Sequence, residues 1–231
     1  MLTRFDVRGL VLLALIAAAG LVFAQAAHPD DQPDCIVLED FAHARVGEFP
    51  AQWEARKEEG QDVYRVREEG GRRFLAALSH GLGIQAGRQV AHWSLATHPV
   101  VVWSWRPRQF PHGADERRSA TNDSALAVYV AVPYSRLRGP KAVKYIWSET
   151  VPVGMRLSSN GGLTQVRVIQ SGPPVSKDGW VEERVNALRD WRVAFKSTET
   201  PKVAGIAVLT DADDTRSTAA GDYANFRACR S

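Results

Sequence analysis

Asp211, Asp213 and Asp214 place three carboxylates within four residues, flanked by Thr210 and Thr215. Carboxylates this close repel unless a cation, hydrogen bonds or solvent compensates. Two readings of the cluster stand. In one, the Asp side chains cap backbone amides in a solvated turn. In the other, Asp211, Asp213 and the Thr215 hydroxyl serve a hard cation such as a structural calcium, which takes several oxygen ligands. Asp222 would join them, eleven residues after Asp211, where an EF-hand loop puts its last ligand. The sixth position is Arg216 rather than glycine and the flanks read as strands, so the segment is not an EF-hand.

The aromatic residues form the second chemical pattern. Alternation along Val100–Arg106 puts Trp103 and Trp105 on one face. Along Lys141–Trp147 it groups Tyr145 and Trp147, and along Ser124–Val132 it sets Tyr129 among alanines, opposite Leu126, Val128, Val130 and Val132. If these strands are neighbours, the aliphatic side is core. Trp103, Trp105, Tyr129, Tyr145 and Trp147 could then line a shallow groove where rings stack on a glycan or a small apolar ligand. The competing expectation is that the same rings complete the core, since Trp and Tyr bury large areas.

Catalytic motifs are sparse: the sequence holds neither G-x-S-x-G nor H-E-x-x-H. Its acidic groups at Asp123, Glu149, Glu182 and Asp211 could serve a hydrolase or lyase, provided the fold brings two of them together.

The elements that must position these groups begin with an export signal. Arg4 and Arg8 precede the uncharged apolar run Gly9–Phe23, and Ala24-Gln25-Ala26 supplies the small residues of a cleavage site. The run falls short of the ~20 residues that span a bilayer, so a cleaved signal peptide is favoured over a membrane anchor. Residues 1–26 therefore read as the signal, 27–34 as a flexible leader and 35–231 as one domain. The protein is expected to be periplasmic or secreted. Its two cysteines, Cys35 and Cys229, fit a disulfide tying the chain ends together. Net charge is +3 across 231 residues, with basic and acidic groups interspersed, so no nucleic-acid stripe is present.

Short apolar or alternating runs separated by turns recur along the chain: Cys35–Phe41, Val63–Glu68, Arg73–Leu78, Val100–Arg106, Ser124–Val132, Lys141–Trp147, Leu163–Gln170, Val203–Leu209 and Asp222–Cys229. They predict a mainly β fold, a jelly-roll-like antiparallel β-sandwich. Val181–Phe195 places Val181, Val185, Leu188 and Phe195 at helical spacing, with Asp178 as a cap, and predicts one amphipathic helix.

The segments FPAQW (49–53), VVWSWRP (101–107), Asn122-Asp123-Ser124, KYIWSE (144–149), WVEERVNALRDW (180–191) and TDADDT (210–215) resemble, in order and spacing, a family of exported bacterial proteins classed as a domain of unknown function. The resemblance covers the mature chain and implies no activity. More loosely, LEDF (38–41) and DYANF (222–226) look like the paired terminal strands of galactose-binding-like jelly rolls. That likeness implies a carbohydrate-binding-module architecture, often with a structural calcium near the terminal strands. Ala224 and Asn225 stand where that pattern would place an acidic residue. Three function classes follow, in this order: a non-catalytic glycan or small-ligand binding module, a structural or interaction protein of the cell envelope, and an envelope polysaccharide hydrolase or lyase.

Overall fold

A computed structural model describes residues 34–230. The expected signal peptide, and all of the expected leader except Asp34, lie outside them. Two sheets face each other. The six-stranded sheet runs β11 (Val181–Asn186), β6 (Val100–Gln109), β13 (Thr218–Cys229), β4 (Arg72–His80), β3 (Tyr64–Glu69), and β1 (Cys35–Glu39) also pairs with β13. The seven-stranded sheet runs β2 (Glu54–Ala55), β5 (Ala86–Gln89), β12 (Gly205–Leu209), β7 (Leu126–Ser135), β8 (Gly139–Ser148), β10 (Thr164–Ser171), β9 (Arg156–Ser159). A four-residue helix, α1 (Gly60–Val63), precedes β3, and α2 (Ala187–Phe195) follows β11. The chain steps between sheets at β4–β5, β5–β6, β6–β7 and again through β11, β12 and β13, giving the expected jelly-roll-like sandwich. All neighbouring strands are antiparallel except β8 and β10, which run parallel.

The long closing strand β13 organises the six-stranded sheet. Its first half, Thr218–Tyr223, pairs with β4, and its last residues pair with β1 on the same edge. The opposite edge pairs with β6 along its length, interrupted by a bulge between Ala224 and Arg227 where Asn225 turns to φ 55°. In this register Cys35 stands directly opposite Cys229, and the two form the disulfide.

Residue alternation fills the space between the sheets. Val101, Trp103 and Trp105 of β6 meet Leu126, Val128 and Val130 of β7 and Val143, Tyr145 and Trp147 of β8, all buried in one cluster. The other faces differ. On the six-stranded sheet, Val100 and Val102 pack beside the disulfide. On the seven-stranded sheet, Ala127, Tyr129, Ala142, Ile146, Val166 and Val168 form a second, outer apolar layer.

The helix expected over Val181–Phe195 is half strand. Val181–Asn186 pairs antiparallel with Val100–Trp105 of β6, and only Ala187–Phe195 is helical. The VEERVN segment satisfies either period: Val181 and Val185 are four apart, yet Val181, Glu183 and Val185 also alternate with exposed Glu182 and Arg184. The unpaired edge of β6 decides the matter, because its backbone groups need partners. Asn186 rather than Asp178 caps the helix, accepting from the Arg189 amide at 2.8 Å. Asp178 instead accepts from the Trp180 amide. Among the described residues no helix is long and apolar enough to cross a membrane.

Candidate functional site

Four of the five rings expected to line a groove are in the core. Trp103, Trp105, Tyr145 and Trp147 are buried between the sheets. Trp103 lies 5.6 Å from Tyr145, and Trp105 lies 5.7 Å from Trp147, measured between ring centroids. Their polar atoms are mostly satisfied inside. Trp105 Nε1 donates to Glu183 at 3.1 Å, Trp147 Nε1 to the Gly172 carbonyl at 2.8 Å, and the Tyr145 hydroxyl to Asp190 at 3.1 Å. The aromatic and aliphatic residues share one interior because β6 and β8, in opposite sheets, both turn their rings toward it. These four cannot stack on an external ligand.

Tyr129 differs in its side of the sheet rather than in exposure: it too is buried, at 6%, but in the outer apolar layer. It sits on the outer face of the seven-stranded sheet, opposite Lys144 on one side and Ala207 on the other. Around it the strands contribute small residues: Gly87 from β5, Gly205 and Ala207 from β12, Ala131 from β7, and Ala142 from β8. Strand neighbours pair Gly87 with Ala207, Gly205 with Ala131, and Ala131 with Ala142. A side chain at Gly205 would collide with the Arg88 carbonyl, so glycine is required where β12 approaches β5. The result is an open groove. One section, of about 640 Å³, is lined by Tyr129, Ala131, Ala142 and Ala207 together with Arg56, Arg138 and Asn160. It continues into a second section of about 450 Å³ through the shared residues Glu54, Gly87, Ala131 and Ala207. Among the described residues Glu54 is the one carboxylate lining either section.

A buried polar group lies on the same outer face, next to Tyr129. Lys144 Nζ is 5.6 Å from the centre of the Tyr129 ring. Burial draws the Lys144 ammonium down, but Tyr129, Asp211 and Glu116 outweigh it and hold the group above its ordinary value. Glu116 accepts from the hydroxyls of Ser148 at 2.6 Å and Ser124 at 3.2 Å, and its burial pushes its carboxyl up. Asp211 is pushed up to about 7, chiefly by burial, with Lys144 opposing and Asp213 and Asp123 reinforcing the rise.

The acidic loop joins β12 to β13 and is anchored by its backbone. The Asp211 amide donates to the Ser124 carbonyl at 3.0 Å, and that of Ala212 to Leu82 at 3.1 Å. Thr210 ties the interior together beneath it, bonding Tyr64, Tyr223 and the Ala125 carbonyl. The expected cation ligands Asp211, Asp213, Thr215 and Asp222 do not converge as a set. Asp222 is on β13 in the other sheet, buried against Arg106 at 2.6 Å and Arg108 at 2.8 Å. The eleven-residue spacing fails because strand β13 carries Asp222 away from the loop. The Thr215 hydroxyl is spent on Asp123, to which it donates at 2.5 Å. Asp123 takes the vacated role: its carboxylate lies with those of Asp213 and Asp214, their ligand oxygens all within 4.8 Å. Its one sequence signal is a carboxylate just before a strand, which cannot say which distant loop it meets.

Of the four carboxylates expected to serve catalysis, Asp123, just before β7, and Asp211, in the acidic loop, come near one another, but away from the groove. Glu182, on β11, accepts from Arg227 at 2.7 Å, and Glu149 is exposed. Neither section of the groove is lined by any of the four.

These features, a two-sheet sandwich with an open groove on one outer face, define the class of protein. The chain belongs to the family described as Protein of unknown function (DUF3047), which its residues 51–227 match. Among curated proteins none matches. Among solved structures, it is similar to a family 11 carbohydrate-binding module from Clostridium thermocellum in complex with a β-1,3-1,4-mixed-linked tetrasaccharide, at 7% identity and TM-score 0.44, covering 84% of this chain and 95% of that one. A non-crystalline cellulose specific module, CBM28, is similar at 10% identity and TM-score 0.37, covering 81% and 91%. A family 11 xylanase from Neocallimastix patriciarum follows at 11% identity and TM-score 0.32, covering 80% and 94%. Likenesses this distant leave the ligand question to the chain's own geometry.

Proposed function

We propose that this protein is an exported, non-catalytic binding module that holds a glycan chain in the groove on the outer face of its seven-stranded sheet. The observation that carries the reading is the groove's floor. Five glycine and alanine positions from four adjacent strands leave a flat bed beside Tyr129, bordered by guanidinium and amide side chains. An open trough admits a chain whose ends continue beyond the site. Arg56, Arg138 and Asn160 offer donors in the planar geometry that hydroxyl-rich ligands accept. Hydrolysis of a glycosidic bond usually takes two carboxyl groups flanking it. Among the described residues Glu54 is the one carboxyl group lining this groove, which favours binding over cleavage. Export is supported by the Cys35–Cys229 disulfide, a bond that persists in oxidising compartments.

The test is calorimetric titration of the oxidised protein with soluble neutral and anionic polysaccharides. It is repeated with Ala131→Trp, which fills the floor where the two sections meet. Binding that the substitution abolishes, at unchanged circular dichroism, is the expected result. No heat with any polysaccharide, or binding indifferent to Ala131→Trp, would refute the assignment.

A further inference from the structure

The acidic loop carries an inference independent of the glycan reading. Asp123 is fully buried, and Asp213 and Asp214 are exposed at the surface above it. The three reach one another from segments 91 residues apart, and the contact is built rather than incidental. Asp123 accepts from the amides of Asp214 at 3.2 Å and Thr215 at 2.8 Å, as well as from the Thr215 hydroxyl, which is itself 2.8 Å from Ser217. Those bonds consume part of the Asp123 carboxylate and hold the loop in one shape. They leave the oxygens of Asp213 and Asp214 without a cationic partner: among the described residues no ion pair reaches Asp123, Asp213 or Asp214.

A second observation points the same way. Asp211 is 8% exposed, and its Oδ1 is buried without a hydrogen-bond partner. A buried carboxylate oxygen left unpaired costs free energy, and native folds rarely leave one so. That oxygen is aimed at the same place. A Cβ built on Gly83 would collide with Asp211 Oδ1 and lie 2.9 Å from Asp213 Oδ2. Both oxygens therefore converge over Gly83, in the β4–β5 connection, where no side chain stands in the way. Lys144 faces Asp211 from the sheet beneath and offsets it, but four carboxylates remain against one ammonium.

We propose that Asp123, Asp213 and Asp214, with Asp211 beside them over Gly83, bind a calcium ion. The donor set is oxygen alone, which selects a hard cation, and calcium takes six to eight oxygens in flexible geometry. Waters and loop carbonyls complete the shell. Thr215 acts as a positioning residue, orienting Asp123 rather than ligating. The site lies in the β12–β13 loop and the approach to β7, not among the terminal strands, where Asp222 is committed to arginines.

The experiment uses the oxidised protein stripped with a chelator, titrated calorimetrically with calcium chloride and followed by thermal unfolding with and without millimolar calcium. One calcium per chain and a chelator-reversible rise in Tm are expected, because a ligand that binds only the folded state stabilises it. Asp213→Asn and Asp214→Asn are exposed and leave the fold intact; each weakens affinity by on the order of tenfold, since affinity follows the ligand charge count. Gly83→Ala, which changes no charge, weakens it by crowding the cradle, whereas Glu199→Gln, an exposed carboxylate elsewhere, leaves it unchanged. A flat titration of the unsubstituted protein would overturn the proposal, as would calcium binding that Asp213→Asn and Asp214→Asn leave unaltered.

Discussion

Asp222 separates a cation ligand from an ion-pair partner, and its replacement has a calculable consequence. Asp222 is buried on β13, and its Oδ2 accepts from Arg106 Nε at 2.6 Å and Arg108 Nε at 2.8 Å. Arg106 is equally buried, its guanidinium 4.5 Å from the Trp180 ring centre and 5.2 Å from that of Phe74. Removing one partner of a buried pair costs about 3–5 kcal/mol, because the other charge stays desolvated. Arg106 keeps its bond to Glu69, whose carboxyl that arginine holds below its ordinary range, but Glu69 is largely exposed and water screens the pair, so it does little to compensate the stranded charge. Asp222→Ala is therefore expected to cost about 3 kcal/mol. With an m-value of about 2 kcal/mol/M in urea, the midpoint should fall by about 1.5 M. The assay is equilibrium urea unfolding of the oxidised protein, repeated in an Arg106→Met background. There the same substitution should cost at least about 1 kcal/mol less, since the charge it strands is already gone. A loss under about 1 kcal/mol, or additive single and double variants, would refute the buried-pair account. Calcium affinity should not change; if it dropped, Asp222 would be the ligand that its sequence spacing suggests.

Other outcomes follow from the same geometry. Cys35→Ala/Cys229→Ala opens a loop spanning 194 residues, and chain entropy sets the destabilisation at about 5 kcal/mol as an upper figure, read by urea unfolding of both forms. Trp103→Ala should cost about 3–5 kcal/mol as a core truncation. Trp103→Phe should cost much less, because it also removes an indole nitrogen that is buried without a partner; equal costs for the two in thermal melts would contradict this. Burial raises the Glu183 carboxyl, although Gln170 and Trp105 donate to it. The folded state therefore keeps a proton that the unfolded state has lost, so stability falls as pH rises from the ordinary carboxylate range through the raised value. Glu183→Gln should flatten that segment of the stability–pH curve, and an unchanged slope would show that Glu183 does not cause it.

Much of the fold could be read locally. Alternation in Val100–Arg106, Ser124–Val132 and Lys141–Trp147 marked strands that became β6, β7 and β8, and Leu126, Val128, Val130 and Val132 are core as expected. The Glu69-Gly70-Gly71 turn joins β3 to β4 as a hairpin. Val181–Asn186 was misread because its valines fit both periods. Only the presence of β6's open edge makes the segment a strand.

What the sequence by itself determined is each strand's two faces and the cysteines placed to close the chain. Alternation and turn chemistry act between residues a few positions apart, so they are legible in one dimension. Which face turns inward is a property of two strands meeting. Trp103 and Tyr145 belong to opposite sheets, and only the packing of one sheet on the other buries both. Tyr129 instead lies buried on the outer side of its sheet, at the edge of a groove that Gly87, Ala131 and Ala207 are small enough to leave. The acidic loop repeats the lesson. Asp211, Asp213 and Asp214 are neighbours in sequence, but the tertiary structure substitutes Asp123 for Asp222 as the carboxylate that meets them. A ligand set is defined by distance in space, and β13 carries Asp222 into the other sheet while the start of β7 brings Asp123 to the loop.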